Sequence, residues 1–140
     1  MYDRFMDTTT KNTSVAVILE KNNKIALSFR LKTKTFPFCW AFVGGSIETD
    51  ETQLQAAHRE TLEETGLYIF KERFEYLCNC YDGGQFCAIY KVILNDDEIP
   101  KHTEKDKHTN WYWFDVNDIF NLKIMDGIRE VLLKTYIKEI

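Results

Sequence analysis

Hydrophobic positions along the chain change rhythm several times, and each change marks an element. Ser14 to Leu19, SVAVIL, is β-branched and apolar, and KIALSFR from Lys24 alternates, so the Lys21-Asn22-Asn23 run between them predicts a hairpin. Phe36 to Val43, FPFCWAFV, predicts an aromatic strand after Pro37 that runs straight into Gly44 and Gly45, where a loop is expected. FEYLCNCY and QFCAIYKVIL flank Asp82-Gly83-Gly84, a turn signal between two β-rich runs, and predict a second hairpin. NWYWF, from Asn110 to Phe114, reads as a further strand, after which Asp115 can cap a short helical turn. Gly127 to Ile140 carries helical spacing through Ile128, Val131, Leu132 and Ile137.

Between the glycine pair and the second hairpin lies the strongest helical pattern. Asp50 followed by Gln53 has the form of a capping box, so the helix is expected to start near Glu51. Gln53 to Glu64 consists almost entirely of good helix formers, and Gly66 stands where a left-handed residue ends a helix, near Thr65. Strands around one central helix, with a second helix late in the chain, predict an α/β or α+β sandwich.

Composition narrows the setting. At 140 residues, with no repeat and no low-complexity linker, the chain is expected to form one domain spanning 1–140. Hydrophobic residues make up 44% and charged residues 29%, and no apolar run approaches the roughly 18 residues of a membrane span. The start, MYDRFMDTTTKNTSVAV, is acidic and polar where a secretory leader is basic and then apolar, so a soluble, cytoplasmic protein is expected. A net charge of -4 argues against general nucleic-acid or anionic-membrane binding, yet leaves open nucleotides bridged by a cation. Cys39, Cys78, Cys80 and Cys87 are expected as thiols rather than a zinc site, because Cys78-x-Cys80 lacks knuckle spacing and a second pair. His58, His102 and His108 are expected at the surface.

The helix itself carries the candidate chemistry. At about 100° per residue, Glu60, Glu63 and Glu64 share one arc, while Leu54, Ala57 and Thr61 fall on a separate apolar stripe. The acids occupy the C-terminal half, where the helix dipole disfavours anions, and Glu60 with Glu64 is a like-charge i,i+4 pair. A stability-optimised helix avoids both features. A divalent cation relieves them, and clustered carboxylates are the ligands that hard Mg²⁺ or Mn²⁺ prefers, with the Gly44-Gly45 backbone free to approach.

Gly45, Glu51, Arg59, Glu60, Glu63, Glu64, Gly66 and Leu67 match, position for position, the G-x5-E-x7-R-E-U-x-E-E-x-G-U signature of the Nudix hydrolases, and the chain resembles that family. It departs at Thr61, where the signature has a bulky aliphatic, and at Val43, where many members carry proline. The resemblance implies an α/β/α sandwich around a mixed sheet, with a catalytic loop and helix at its centre and a C-terminal helix. It also implies hydrolysis of a pyrophosphate bond in a nucleoside diphosphate linked to another group. By that likeness Gly45, Glu60, Glu63 and Glu64 hold Mg²⁺, with Mn²⁺ as a substitute, and Glu60 is the candidate base within the box, although some members use an acid on a later loop. Arg59 orients a glutamate. Glu51 is either a further metal or water ligand or a favourable helix N-terminal charge.

Specificity must come from outside this stretch. Members that cleave ADP-ribose often carry a proline shortly after it, and the only prolines here are Pro37 and Pro100. Asp106-Lys107 leading to Trp111-Tyr112-Trp113 is similar to the E-K-x-x-x-W-x-W stretch of small MutT-type enzymes acting on nucleoside triphosphates, which implies conversion of a (deoxy)nucleoside triphosphate to monophosphate and pyrophosphate. ADP-ribose or another nucleotide sugar, dinucleoside polyphosphates, an RNA 5′ end, and a non-catalytic nucleotide sensor are the alternatives. Asp106 is then expected near the site, and Phe36, Phe38, Tyr81 or Phe86 can stack on a base. Core packing is the competing role for aromatics, favoured for Trp111, Trp113 and Phe42. Arg30, with Lys32 and Lys34, either meets phosphates or solvates an edge. A nucleotide is the expected partner of a monomer or homodimer.

Overall fold

The computed structural model describes residues 12–32, 37–82 and 84–137, so Lys34, Phe36 and Gly83 lie outside the described residues. Its elements are β1 (Ser14–Lys21), β2 (Lys24–Phe29), β3 (Trp40–Ala41), β4 (Val43–Ser46), α1 (Gln53–Thr65), β5 (Glu75–Asp82), β6 (Gln85–Ile93), β7 (Tyr112–Asp115), α2 (Val116–Ile119) and α3 (Asp126–Tyr136).

The alternation in β1 organises everything else. Val15, Val17 and Leu19 pack with Ala56, Ala57, Ile69 and Trp111 on the α1 face, while Ile18 packs with Ile25, Leu27, Ile119, Val131 and Leu132 on the face covered by α2 and α3. Each fully buried aliphatic contributes about 1.5–3 kcal/mol, so both helical layers are held to the sheet by similar means. The result is an α/β/α sandwich around a mixed sheet. β1 runs parallel to β6 over Ser14–Glu20, and on its other edge it pairs antiparallel first with β4 and then with β2. β2 in turn pairs with β7 and β3. Because β4 and β2 share one edge of β1, the sheet splits there, and β4 is left beside α1.

Both expected hairpins form. Asn22 and Asn23 take φ of 52° and 64°, the pair of positive angles that a two-residue turn with the right twist demands.

Four expectations are corrected. Of the described residues in the FPFCWAFV run only Trp40–Ala41 and Val43 are strand, broken at Phe42, and Gly44 and Gly45 belong to β4 rather than to a loop. Asp50 has φ of 65° and does not cap; the box is made two residues later by Thr52 and Gln55, whose side chains bond each other's backbone N–H at 3.0 and 2.8 Å. The helix therefore begins at Gln53, and it ends as expected at Thr65 with Gly66 left-handed. Ile137 falls past the end of α3 and is exposed. His108 is 5% exposed, not a surface residue, and His58 and His102 are part-buried. All four cysteines are thiols. Trp111 and Phe42 are core residues as expected, and Trp113 packs on the core's margin.

Candidate active site

The C-terminal half of α1 lies against β4, and Arg59 ties the two together. Its Nε and Nη2 donate to the two Glu51 carboxylate oxygens at 2.7 and 3.0 Å, Nη2 also reaches the Ser46 carbonyl at 2.9 Å, and Nη1 reaches Glu60 at 3.1 Å and Glu63 at 3.2 Å. One guanidinium thus serves three carboxylates and a strand. The Arg59 bond, assisted by the Glu48 backbone N–H, holds the Glu51 carboxyl below its usual range, while Glu51 raises Arg59 further above its own. Glu51 faces this clamp and does not line the cleft beside it.

Glu60 and Glu64 meet side by side. Burial raises the Glu60 carboxyl, and burial together with the hydrogen bond and charge of Glu60 pushes Glu64 well up, with only the Gly44 N–H at 3.3 Å pulling it back. Two neighbouring acids both held above their usual range are short of a positive charge. A Cβ on Gly45 would stand 2.0 Å from Glu60 Oε2, so the missing side chain is what admits the carboxylate to the strand. Glu63 is half exposed at the mouth, held by Arg59.

These groups line a cleft of about 210 Å³ with Gly44, Gly45, Ser28 and Arg30 on the strand side. The opposite wall is the segment 101–111, bringing Glu104, Lys107 and His108. That segment is anchored on the end of α1: Lys101 N–H bonds the Thr65 carbonyl at 2.8 Å, Thr103 Oγ1 the Glu63 carbonyl at 2.5 Å, and Trp111 Nε1 the Glu64 carbonyl at 3.2 Å. With Gly66 N–H on the Leu62 carbonyl at 2.9 Å, all four free C-terminal carbonyls of the helix are satisfied.

A second cleft of about 230 Å³ opens from the same glycines and Arg30 and runs between sheet and α3. Its floor is Ala16, Cys80, Cys87 and Ile89, its wall is Met125, Ile128 and Val131, and Ser14 and Gln85 stand at its rim.

The structure thus brings together Gly45, Glu60, Glu63, Glu64 and Arg30 of the residues anticipated from sequence, with Arg59 and Glu51 behind them. It does not bring the rest. Phe36 lies outside the described residues, Phe38 is 49% exposed and lines neither cleft, and Tyr81 and Phe86 stack on each other at 4.8 Å away from both. Asp106 is exposed, and Glu104, two positions upstream, lines the cleft instead. The Glu104-Lys105 pair offered the same acid-then-lysine signal as Asp106-Lys107 at a slightly longer distance from Trp111. His108 offered none.

The carboxylates suit a hard divalent cation. No three acidic, histidine or cysteine side chains converge on one point among the described residues, because Arg59 holds Glu63 while Glu60 and Glu64 pair. The raised Glu60 and Glu64 and the Gly45 cradle are nevertheless a donor set whose repulsion a cation would relieve.

A family profile described as NUDIX domain matches residues 10–135. Among curated proteins the chain is 43% identical over 53 residues to a CTP pyrophosphohydrolase of Escherichia coli, a match covering 38% of this chain and 39% of that one, well under two thirds of the relative's length. It is 28% identical to an RNA pyrophosphohydrolase of Pelagibacter ubique, covering 89% of this chain and 88% of that one. Among solved structures it is similar to a MutT hydrolase from Burkholderia pseudomallei, with a TM-score of 0.72 at 23% identity over 89% of this chain and 97% of that one, a likeness of fold.

Proposed function

The chain belongs to the Nudix family, and on that premise we propose that it is a divalent-metal-dependent pyrophosphohydrolase converting a (deoxy)nucleoside triphosphate to monophosphate and pyrophosphate. The observation that carries the reading is Glu60 seated in the space of Gly45's missing side chain, with Glu64 beside it on the Gly44 N–H, at the junction of a polar cleft and an apolar one.

Glu60, Glu63 and Glu64, with the Gly45 carbonyl, would hold Mg²⁺. When bound, the cation supplies neutralisation of phosphate charge and a lowered pKa for the attacking water. Arg59 keeps the helix acids aimed at β4 and spares Glu60 part of the repulsion from its neighbours. Arg30 and Lys107, both in the polar cleft, meet the negative charge of the phosphate chain. Glu60 is already engaged by Arg59 and Glu64, so the acid on the later loop, Glu104, is the better placed acceptor for the water's proton. The apolar cleft then receives one nucleoside, between the thiol and aliphatic floor and the α3 wall.

The mononucleotide reading rests on one apolar bay of about 230 Å³ opening beside the acids, room for one nucleoside. The test is a panel of nucleoside triphosphates, nucleotide sugars, dinucleoside polyphosphates and triphosphate RNA with Mg²⁺. Phosphate released from triphosphates only after added inorganic pyrophosphatase supports the proposal. Cleavage of nucleotide sugars alone refutes the substrate, and tight binding with no cleavage of any member makes the chain a sensor.

Among the described residues no helix is long and apolar enough to cross a membrane.

A further inference from the structure

His108 is buried, and the reason is not packing alone. Its ring lies 5.2 Å from Trp111 and 5.5 Å from His102, and Nδ1 sits 2.7 Å from the Thr109 carbonyl. A carbonyl only accepts, so Nδ1 carries the hydrogen and Nε2 is left with a lone pair. That Nε2 is buried and has no hydrogen-bond partner. Glu104 Oε1 stands 3.9 Å from it, in the wall of the same polar cleft.

Two acceptors facing each other at 3.9 Å do not attract while Glu104 is ionised and His108 neutral. Once Glu104 carries a proton, it becomes the donor that Nε2 lacks, and a side-chain rotation closing about 1 Å completes the bond. Burial holds His108 toward its neutral form, against the opposing pull of Glu104 and the Thr109 carbonyl, with His102 and Arg30 acting in the same direction as burial. The backbone fixes the rest of the geometry. Lys107 and His108 N–H groups both bond the Glu104 carbonyl, at 3.0 and 3.3 Å, and Arg30 bridges to His108, so carboxyl and imidazole are carried on one short turn pinned to the end of β2.

Resting on the proposed hydrolysis, we propose that His108 is the positioning residue for Glu104, its Nε2 lone pair accepting the O–H that Glu104 acquires from the attacking water. In the step, one water O–H bond breaks and its proton passes to a Glu104 oxygen, the O–P bond forms, and the anhydride P–O bond breaks with its electron pair leaving on the departing phosphate. The proton on Glu104 then points to Nε2. His108 acts by accepting that O–H and orienting the carboxyl, without touching substrate.

His108→Phe keeps a ring beside Trp111 and removes the acceptor; His108→Gln restores an acceptor near the Nε2 position. His108→Phe is expected to lower kcat about tenfold or more with KM and Mg²⁺ requirement unchanged, His108→Gln to recover most of the rate, and His108→Phe to add no loss to Glu104→Gln. ¹⁵N NMR of the metal-free protein supplies a readout besides activity: Nδ1 protonated, and an Nε2 resonance that moves on Glu104→Gln. A His108→Phe protein with the parent kcat, or an Nε2 resonance indifferent to Glu104→Gln, overturns the assignment. If the parent cleaves no nucleotide while Nε2 still responds to Glu104→Gln, the pair stands and the proposed substrate reading falls.

Discussion

Gly44 and Gly45 are neighbours on β4, yet replacing each by alanine is expected to damage different things. Among the described residues only Gly66 and Gly84 are glycines with positive φ, so neither Gly44 nor Gly45 is needed for its backbone angle. Both are needed for space. A Cβ at Gly44 would stand 2.7 Å from the Val15 carbonyl oxygen, which is backbone of the central strand and bonded into the sheet. Relief requires β4 to move away from β1, an overpacking cost of about 1–3 kcal/mol, or a fall in Tm of roughly 3–10 °C.

At Gly45 the obstacle is the end of a side chain, Glu60 Oε2 at 2.0 Å and Cδ at 2.5 Å. Reaching ordinary contact of about 3.5 Å means that the carboxylate retreats by more than about 1 Å, which Glu60 can do by changing rotamer. Stability is expected to stay within about 1 kcal/mol of the parent, since the clash is met by the far end of a flexible side chain rather than by backbone. A displacement of about 1 Å in a reacting constellation lowers turnover by about 10²-fold, and the expected loss is of that size. The measurement is kcat at saturating Mg²⁺ alongside thermal unfolding of both variants. Gly45→Ala hydrolysing at the parent rate, or melting as low as Gly44→Ala, refutes the argument that β4 is stripped of side chains to admit Glu60.

Chelation with EDTA is expected to abolish turnover and Mg²⁺ or Mn²⁺ to restore it, read by phosphate release; undiminished cleavage in chelator removes the metal from the mechanism. Glu63→Gln and Glu64→Gln should lower kcat by orders of magnitude, with Glu64→Gln equal to or above the parent in metal-free Tm, and a parent-like rate in either variant would show the helix acids to be mere solvation. The metal-free parent should also lose stability relative to Glu64→Gln as pH rises above 4.5. Glu64's carboxyl is raised in the folded state, so the native chain binds more protons than the unfolded one over that range, and stability falls with pH until the raised value is passed. Urea unfolding at several pH values checks the sign; a difference curve that rises with pH contradicts it.

The acidic helix was legible because its chemistry is written at fixed spacing on one element, and spacing survives folding. Its start was misplaced by two residues because Asp50 and Thr52 both have capping side chains; the choice was made by the left-handed turn at Asp50, which brings Glu51 back to the Glu48 N–H and to Arg59. The glycine pair read as a loop because glycine weakens strands, yet the pairing of β4 with the first half of β1 overrides that preference. Which face of a predicted hairpin reaches the cleft was invisible. Tyr81 and Phe86 are opposite one another on β5 and β6, so they satisfy each other, while Cys80 and Cys87, one position inward on the same pair of strands, line the apolar cleft. The period-two alternation of a strand fixes which of these faces the cleft, but only after the register and the covering helix are known.

The arrangement at the end of α1 explains how a helix can keep acids where its dipole resists them. Glu60, Glu63 and Glu64 sit in the last two turns, and the helix has no basic residue in its last turn. Within the helix Arg59 bonds Glu60 and Glu63 as well as Glu51, and from elsewhere in the chain Lys101, Thr103 and Trp111 donate to the three terminal carbonyls that carry the negative end of the dipole. These donors belong to the segment that also carries Glu104 and His108. Stabilising the helix end and delivering the opposite wall of the cleft are therefore one structural act. Trp111→Phe tests this, because it keeps an aromatic ring in the core but removes the N–H along with the five-membered half of the indole. The Glu64 carbonyl is then left without its donor, expected to destabilise the fold by about 1–3 kcal/mol, and Glu104 and Glu64 lose a common reference point. Turnover should fall more than stability loss alone accounts for at a temperature where the variant is fully folded, with Glu104→Gln in the same background adding less than it does in the parent. A folded Trp111→Phe protein with the parent kcat would show that the segment holds its place without that bond.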